Sequence, residues 1–216
     1  MFSSFDKSQF TGAIFIDLSK AFDLVDHYLL LDKLSSIGLD QNALFWFNAY
    51  LHNRRQCVVF QGHQSDFLII EKGVPQGSTL GPLLFSIFIN DLPNICSNCH
   101  VHLYADDTVI YHSNSDLSQI QNSLQLDFDR VQDWFSKNKL VLNKKKSCSM
   151  IFSKHHLQPH PVDFHIYFSD GSPVDKIKSF ECLRLWIDSE LTFKPHIDYI
   201  VKKKSIWLSC ITLLFY

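Results

Sequence analysis

The sequence predicts an α+β fold in which antiparallel hairpins are interleaved with helices. A short apolar run, "GAIFIDLS" (Gly12 to Ser19), is typical of a buried central strand. Apolar residues recurring at three- and four-residue steps between Leu117 and Phe135 predict a long amphipathic helix. Strands and helices do not alternate regularly, which favours α+β over a parallel βαβ sheet. With 216 residues, 46% of them hydrophobic, the chain can form one domain, or one domain and part of a second.

The first half of the chain begins with the predicted central strand, which ends near Asp17. Two helices follow, over residues 26–37 and 42–51, and Gly38 closes the first of them. Residues 55–70 are interpreted as two strands joined by a turn around Gly62. The next segment, "GVPQGSTLGP", uses three of the seven glycines and two of the seven prolines, so it predicts a specialised loop. A buried helix over residues 83–89 continues it.

The second half begins with a predicted hairpin around Asp106 and Asp107. The long helix then starts at a cap provided by Ser115 or Asp116. Strands are expected near residues 147–152, 164–168 and 180–187, and a last helix after Pro195.

Composition places few limits on the partners of the chain. The formal net charge of -2 does not by itself indicate a nucleic-acid or membrane partner, so basic surface must be local. Two lysine clusters, at residues 144–146 and 202–204, are the candidates, and the alternative for both is ordinary solvated surface. The apolar stretch 205–216 is shorter than the ~20 residues that a membrane helix needs. No membrane partner is therefore expected.

Cysteine usage and the polar first nine residues predict an intracellular protein, in the nucleus or the cytoplasm. Six irregularly spaced cysteines indicate reduced thiols. The segment "CSNCHVH" (Cys96 to His102) also matches a haem-attachment pattern and offers four zinc ligands. In a strand, His100 and His102 would face away from Cys99, which favours buried thiols with edge histidines over a metal site.

Adjacent acids between two apolar runs, in "HLYADDTVIY", are the main functional signal. Carboxylates that repel each other persist where a cation offsets them, so the hairpin predicts a positive ligand at its turn. The turn lacks glycine, and we expect an aspartate to adopt its left-handed geometry. If Asp17 ends the neighbouring strand, Asp17 and Asp106 would form an acid pair suited to Mg²⁺. The alternative is a surface hairpin with solvated aspartates.

Four ordered segments resemble the palm motifs of the reverse transcriptases of non-LTR retrotransposons. They are "AIFIDLSKAFDLVDH", "GVPQGSTLGPLLFSIFINDL", "YADD" and "WFSKNKLVLNKKKS", and together they span most of residues 10–150. A fifth segment, "FECLRLWIDSELTFKPHI", resembles the region leading into the thumb. The resemblance implies a polymerase palm over residues 1–155, and the end of the palm with a partial thumb over residues 156–216.

The resemblance also implies an activity and its cofactors. The activity is RNA-directed DNA polymerisation, with an RNA template, a DNA primer and deoxynucleoside triphosphates as partners. Asp17 and Asp106 match the acids that bind two Mg²⁺ ions, for which Mn²⁺ is a substitute. Asp107 matches the accompanying catalytic acid, and the backbone carbonyl of Leu18 would be a further metal contact.

Other positions match residues that contact the substrates. Phe22 matches the aromatic residue beneath the incoming sugar, which discriminates against a 2′-hydroxyl, although an ordinary core phenylalanine is the alternative. Gln76 and Gly77 match the nucleotide-supporting loop, where glycine allows close backbone approach. Lys146 matches a lysine that assists pyrophosphate departure. Nucleic-acid contacts are implied for Pro75 and for Lys202, Lys203 and Lys204.

Departures from the family pattern lead to further expectations. Only 16 residues precede Asp17, where family members carry fingers and an endonuclease domain, so we expect weak or absent activity unless another chain supplies fingers. Arg184 stands where the family usually has glycine. Two other hypotheses stay open: a non-catalytic remnant that binds nucleic acid or a protein partner, and a fragment that does not fold stably.

Overall fold

A computed structural model describes residues 9–153 and 164–213, with side chains in the last helix described as far as Lys203. The predicted phosphate contact by Lys204 therefore lies outside the described side chains. The side chains of the apolar stretch 205–216 also lie outside the described part.

Thirteen strands lie in the described part of the chain. In order they are β1 (Phe10–Ile16), β2 (Leu18–Ser19), β3 (Arg54–Gln56), β4 (Val59–Phe60), β5 (His63–Gln64), β6 (Leu68–Ile70), β7 (His100–Tyr104), β8 (Asp107–Asn114), β9 (Val141–Leu142), β10 (Cys148–Phe152), β11 (Asp175–Lys176), β12 (Ser179–Cys182) and β13 (Leu185–Asp188). Five of them form the main sheet, in the order β11-β10-β1-β8-β7.

β1 is the middle strand of this sheet, as the apolar run predicts. It pairs antiparallel with β10 on one side and with β8 on the other, and the last pair with β8 joins Ile16 to Thr108. Ile14 and Ile16 belong to the larger of two apolar clusters, whereas Ala13 and Phe15 belong to the smaller one. Because both faces of β1 are covered, the strand is uniformly apolar rather than alternating.

The described part of the chain contains five α-helices. They are α1 (His27–Ser36), α2 (Gln41–Leu51), α3 (Gly81–Ile89), α4 (Leu117–Lys137) and α5 (Lys194–Leu213), with short 3₁₀ helices at Ala21–Asp23 and Leu92–Ile95. Aspartates cap three of the α-helices, since Asp26, Asp40 and Asp116 each accept hydrogen bonds from first-turn backbone N–H groups. Gly38, with a φ of 97°, follows α1 as expected.

The buried face of α4 lies directly on the central strand. A Cβ atom at Gly12 would be 2.5 Å from Ile120 Cγ2 and 2.7 Å from Leu124 Cδ1, so only glycine permits this approach. The predicted apolar stripe of α4 is buried, and the predicted cap is Asp116. A helix on one face of a mostly antiparallel sheet confirms the α+β class.

Residues 54–70 form two short nested hairpins instead of one pair of longer strands. β3 pairs with β6, and β4 pairs with β5 across the expected turn at Gly62. The apolar side chains Val59, Phe60, Leu68 and Ile69 are all exposed. Since so little of this segment packs on the core, its strands stay short.

The strand expected at Phe164–Phe168 is wrong. The segment is extended and alternates buried and exposed residues, but its only ladder contact in the described chain is an isolated bridge from Tyr167 to Pro173. Its backbone N–H groups instead bind glutamine side chains of α4, with His165 N donating to Gln121 and Tyr167 N to Gln125. The helix thus replaces a neighbouring strand.

The region from Phe180 to Ile187 is a hairpin, formed by β12 and β13. Its turn contains Leu183 and Arg184, with φ values of 49° and 65°. Arg184 thus occupies a left-handed position that usually favours glycine, and its side chain is exposed. Beyond the hairpin, the buried carboxylate of Asp188 accepts hydrogen bonds from Glu190 N, Thr192 N and Phe193 N. These bonds fix the chain just before α5.

Within the described residues, no helix combines the length and apolar character needed to cross a membrane.

Candidate active site

The paired acids lie at the β7–β8 turn, at the edge of the main sheet. Tyr104 and Asp107 form the last pair of the ladder, which leaves Ala105 and Asp106 as the two turn residues. The left-handed residue is Ala105, with a φ of 51°, so the expectation that an aspartate takes this geometry is wrong. The left-handed conformation costs alanine a small steric penalty, and Asp106 does not have to adopt it.

Asp17 follows the end of β1 and lies beside this turn. Because Ile16 pairs with Thr108, the antiparallel register brings the next residue, Asp17, alongside Asp107. Asn143 Nδ2 donates to Asp17 Oδ2 at 2.8 Å, and Asp17 N donates to Ser147 Oγ at 3.1 Å. The position of this carboxylate is therefore set by side chains that follow β9.

The three carboxylates are close enough to influence one another electrostatically. Partial burial raises the pKa of Asp107, and the negative charges of Asp106 and Asp17 raise it further. No described residue donates a side-chain hydrogen bond or ion pair to Asp106 or Asp107. We call Asp17, Asp106 and Asp107 the acid edge, a site where three carboxylates lie together and two of them lack an ion-pair partner among the described residues.

A cavity of about 470 Å³ lies in front of the acid edge. Its lining includes most of the residues that the family resemblance assigns to substrates and metal: Asp17, Leu18, Phe22, Gln76, Asp106 and Lys146. These positions are separated by up to 129 residues in sequence, and the fold gathers them around one space. A second cavity, of about 440 Å³, lies on the other side of Asp17 and Lys146 and includes Asp107 and Glu181.

Phe22 is half-buried at the rim of the first cavity. Its ring stacks on Phe85, with centroids 4.6 Å apart and planes at 27°. The ring also packs against the larger apolar cluster, so Phe22 is in part a core residue while it lines the cavity. Burial of one face would hold the other in a fixed orientation.

The loop containing Pro75, Gln76 and Gly77 is held against the chain that follows Asp17. Gln76 Nε2 donates to Asp23 Oδ1 at 2.9 Å, while Gly77 has a φ of 78° and open space where a Cβ would lie. A Cβ at Gly81 would be 2.6 Å from Pro75 O, which fixes the loop close to the start of α3. The loop is anchored at both ends and open at Gly77.

The donor set of the acid edge suits hard divalent cations. Mg²⁺ prefers carboxylate and carbonyl oxygens, and commonly uses only one or two protein carboxylates together with water and substrate phosphates. The described residues contain no group of three or more His, Cys, Asp or Glu side chains arranged as a complete metal cage. Asp17 and Asp106 with a backbone carbonyl fit the substrate-completed type of site.

The predicted basic contacts lie elsewhere. Lys202 and Lys203 are exposed on α5 and do not line either cavity at the acid edge; Lys203 Nζ lies 5.6 Å from the centre of the Tyr199 ring. Lys144 pairs with Asp170. Only Lys146 of the first lysine cluster lines the cavities.

The Cys96–His102 segment has a different environment from a metal site. Burial, followed by the charge of Asp127, raises the pKa of the Cys96 thiol to about 11, and the pKa of Cys99 lies higher still for the same reasons. Metal ligation requires thiolates, which these surroundings disfavour. Asp127 instead organises the segment, accepting hydrogen bonds from the N–H groups of Ser97, Asn98 and Cys99.

Sequence reasoning missed the residues that position the site. Asn143 and Ser147, which hold Asp17, are the first and last residues of the segment "NKKKS". The family resemblance assigns a role only to Lys146 within it. Asp23 and His27, which bind the Gly73–Gly77 loop, lie within the first palm segment. In the sequence these residues are visible only as polar residues beside an apolar run. Such residues are common at the ends of strands and helices, so the pattern does not single them out.

Comparison with known proteins agrees with this geometry. Residues 3–183 match the family described as reverse transcriptase (RNA-dependent DNA polymerase). A probable RNA-directed DNA polymerase from transposon BS of Drosophila melanogaster is 29% identical over 93% of this chain and 22% of its own length. The polymerase from mobile element jockey of Drosophila funebris is 30% identical over 89% of this chain and 21% of its own length. The chain spans about a fifth of the length of these relatives.

Solved structures support the fold. Apo telomerase from Candida tropicalis, truncated from the C-terminal domain, matches with a TM-score of 0.56 and 12% identity over 84% of this chain and 35% of that one. Telomerase from Candida albicans matches equally well by TM-score, 0.56, over 84% of this chain and 30% of that one. At such identities the likeness shows a shared α+β polymerase palm. The family match over most of the chain and the transposon relatives together establish that this chain belongs to the reverse transcriptases of non-LTR retrotransposon type.

Proposed function

We propose that this chain carries the catalytic centre of an RNA-directed DNA polymerase, which extends a DNA primer on an RNA template. The observation that carries the proposal is the acid edge: Asp17, Asp106 and Asp107 lie side by side at a cavity, and no described residue forms an ion pair with the two turn acids. Such a site would bind divalent cations together with a polyphosphate substrate.

In the proposed reaction the primer 3′-oxygen attacks the α-phosphate of the nucleotide, and pyrophosphate leaves. Two Mg²⁺ ions held by Asp17, Asp106 and the Leu18 carbonyl would activate the attacking oxygen and stabilise the leaving one. Asn143 keeps the Asp17 carboxylate in place, because its amide occupies one carboxylate oxygen. Lys146, at both cavities, would donate charge or a proton to the departing pyrophosphate.

Substrate selection is proposed for the opposite wall of the cavity. The Phe22 ring, fixed by Phe85, would lie under the incoming sugar and disfavour a 2′-hydroxyl. Pro75, Gln76 and Gly77 would support the templating base and nucleotide, with Gly77 exposing backbone to the nucleic acid. An RNA partner agrees with one of the structural neighbours, since a Candida telomerase is solved in complex with a fragment of telomeric RNA.

A partial thumb is proposed for α5, after the β12–β13 hairpin. Lys202 and Lys203 would contact phosphates of the duplex there, which positions nucleic acid without reading its sequence. Arg184, exposed at the hairpin turn, adds a cation beside the proposed primer path. These assignments account for nucleic-acid binding by a chain of nearly neutral net charge.

Primer extension tests the proposed function. The 216-residue chain, Asp106→Asn and the control Asp133→Asn would be compared on an RNA template with Mg²⁺ and deoxynucleotides. Asp133 is an exposed acid on α4 that pairs with Lys137, far from the acid edge in sequence and role. We expect weak but equal product from the wild type and the control, and none from Asp106→Asn. Equal RNA binding by all three proteins without synthesis would overturn the proposal in favour of a non-catalytic binder.

A further inference from the structure

His27, the first residue of α1, is fully buried and contacts the loop that leads to Gln76. Only 1% of its surface is exposed, and its Nε2 lies 2.8 Å from the carbonyl oxygen of Gly73. Its other ring nitrogen, Nδ1, is buried without a hydrogen-bond partner in the described part of the chain. A buried polar atom without a partner is costly, so some compensating role is expected for the ring.

The contact defines the protonation of the ring. Gly73 O can only accept, so Nε2 must carry the proton and Nδ1 must be the unprotonated nitrogen. Burial lowers the pKa of His27, and the nearby His52 and Arg54 also lower it, while the Gly73 contact and Asp26 oppose them. Asp26 is already bound to Lys139 Nζ at 2.6 Å. A second proton, on Nδ1, would be buried where no described residue offers it an acceptor.

The same stretch of loop is bound to the segment after Asp17 by backbone hydrogen bonds. Gly73 N donates to Val25 O at 2.7 Å, and Val74 N donates to Phe22 O at 2.8 Å. Gly73 has a φ of 93°, and a Cβ there would be 2.8 Å from Asp23 O. The backbone at Gly73 therefore lies closer to Asp23 than a side chain at this position would allow. The imidazole of His27 adds a side-chain hydrogen bond to the same residue.

We propose that His27 is a positioning residue for the proposed polymerase site, holding the Gly73–Gly77 loop in register with Phe22 through its Nε2–H bond to Gly73 O. The bond fixes Gly73, the neighbouring backbone pairs carry the constraint to Val74 and Phe22, and Gln76 binds Asp23 just beyond. The two walls of the nucleotide cavity then move as one unit. The effect of His27 on catalysis rests on the proposed function, whereas its effect on the Gly73–Gly77 loop does not.

The experiment compares His27→Leu, which removes the donor, with His27→Gln, which replaces it by an amide that does not titrate. The control is His63→Leu, in the exposed β4–β5 hairpin. Hydrogen exchange of the Gly73 and Val74 amides is the first readout, because it does not need activity. We expect about tenfold faster exchange in His27→Leu, and recovery in His27→Gln, with β1 amides unchanged. Unchanged exchange in His27→Leu would overturn the inference.

Primer extension is the second readout. His27→Leu should raise KM for the deoxynucleotide several-fold more than it lowers kcat, with rescue by His27→Gln. Full activity of His27→Leu with an unchanged KM would overturn the inference while leaving the proposed function intact. Faster loop exchange in His27→Leu, together with no synthesis by the wild type, would have the opposite meaning: the positioning role of His27 would stand and the polymerase proposal would fail.

A measurement on the wild type covers the case in which His27→Leu does not fold. Imidazole nitrogen NMR at neutral pH should show Nε2 protonated and Nδ1 bare. A ring protonated on Nδ1 at neutral pH would contradict the proposed bond.

Discussion

Two sets of aspartates in this molecule have opposite surroundings. Asp127 on α4 has no solvent-exposed surface, yet three backbone N–H groups and Arg130 Nη1, at 2.8 Å, donate to its carboxylate. Burial alone would raise its pKa, but the hydrogen bonds outweigh burial, and the pKa ends below the ordinary value. Asp107 is more exposed, and its pKa is nevertheless raised.

The difference separates an acid that organises the protein from acids that await a ligand. The partners of Asp127 come from the chain itself, so the buried charge is compensated as soon as the Cys96–Cys99 segment folds against α4. Asp106 and Asp107 form no ion pair with any described residue, and the charges that act on Asp107 are those of Asp106 and Asp17. Repulsion among the carboxylates of the acid edge therefore lowers the stability of the fold, as expected of a binding site without its ligand.

The largest effect that we expect is on stability, from Asp127→Ala. The substitution leaves three backbone donors and an arginine without their acceptor, so the free energy of unfolding should fall by ~3–5 kcal/mol. Urea denaturation measures it, with Asp133→Ala as the exposed control on the same helix. A loss below about 1 kcal/mol would mean that water replaces the carboxylate, and the contrast with the acid edge would weaken.

The next largest effect is on catalysis, from Asp17→Asn. An asparagine can still accept from Asn143 Nδ2, so stability should change by less than about 1 kcal/mol. Loss of the charge should lower primer extension by ~100-fold or more. Comparing denaturation and extension for the same preparation separates the two effects. A variant that retains activity would remove Asp17 from the proposed metal site.

Magnesium should stabilise the wild type by a smaller amount. At ten times its dissociation constant, a ligand that binds only the folded state contributes about 1.4 kcal/mol. Thermal unfolding with and without Mg²⁺ should therefore show a rise in Tm that is absent in Asp106→Asn. Asp133→Asn should keep the rise. An equal shift in all three proteins would indicate non-specific salt effects.

The smallest effect concerns the pH dependence of stability. The folded state raises the pKa of Asp107, so its ionised form is disfavoured and opposes folding at neutral pH. Asp107→Asn should increase the free energy of unfolding at pH 7 by a few tenths of a kcal/mol, given solvent screening. The gain should vanish as the pH falls below the ordinary carboxyl value of 3.8.

Asp127 should show the reverse pH dependence. Its lowered pKa stabilises the fold above the ordinary carboxyl value, and this contribution is lost as the pH falls through the folded-state pKa. The deficit of Asp127→Asn should thus be largest at neutral pH and shrink in strong acid. Parallel pH profiles for the two variants would contradict the assigned environments.

Sequence patterns predicted best the elements in which the spacing of apolar residues matches the buried positions. The central strand, the acidic hairpin and α4 each bury a face that their apolar spacing makes visible. The extended Phe164–Phe168 segment shows the limit of this rule. Its alternation is strand-like, but periodicity does not say whether its backbone will bind another strand or, as here, the glutamines of a helix.

The acid edge was foreseen from residue type and context, whereas its supports were not. Asp127 did carry a visible signal, because it lies seven residues after Ile120 and three after Leu124, inside the apolar stripe of α4. An acid in that position needs donors, although its partners cannot be named before the fold is known. The contact of His27 with Gly73 joins residues 46 apart and leaves no periodic trace.

The antiparallel register between β1 and β8 has a consequence for how such a chain tolerates length changes. Ile16 faces Thr108 across the ladder, and the acids follow directly at both strand ends. One extra codon inside β1 would turn Asp17 to the opposite face of the sheet, because side chains alternate along a strand. An extra codon in the exposed Gly62 turn would displace neither acid. Insertions that preserve the reading frame should therefore be tolerated in the nested hairpins. Within β1, the seven residues before Asp17, they should abolish function.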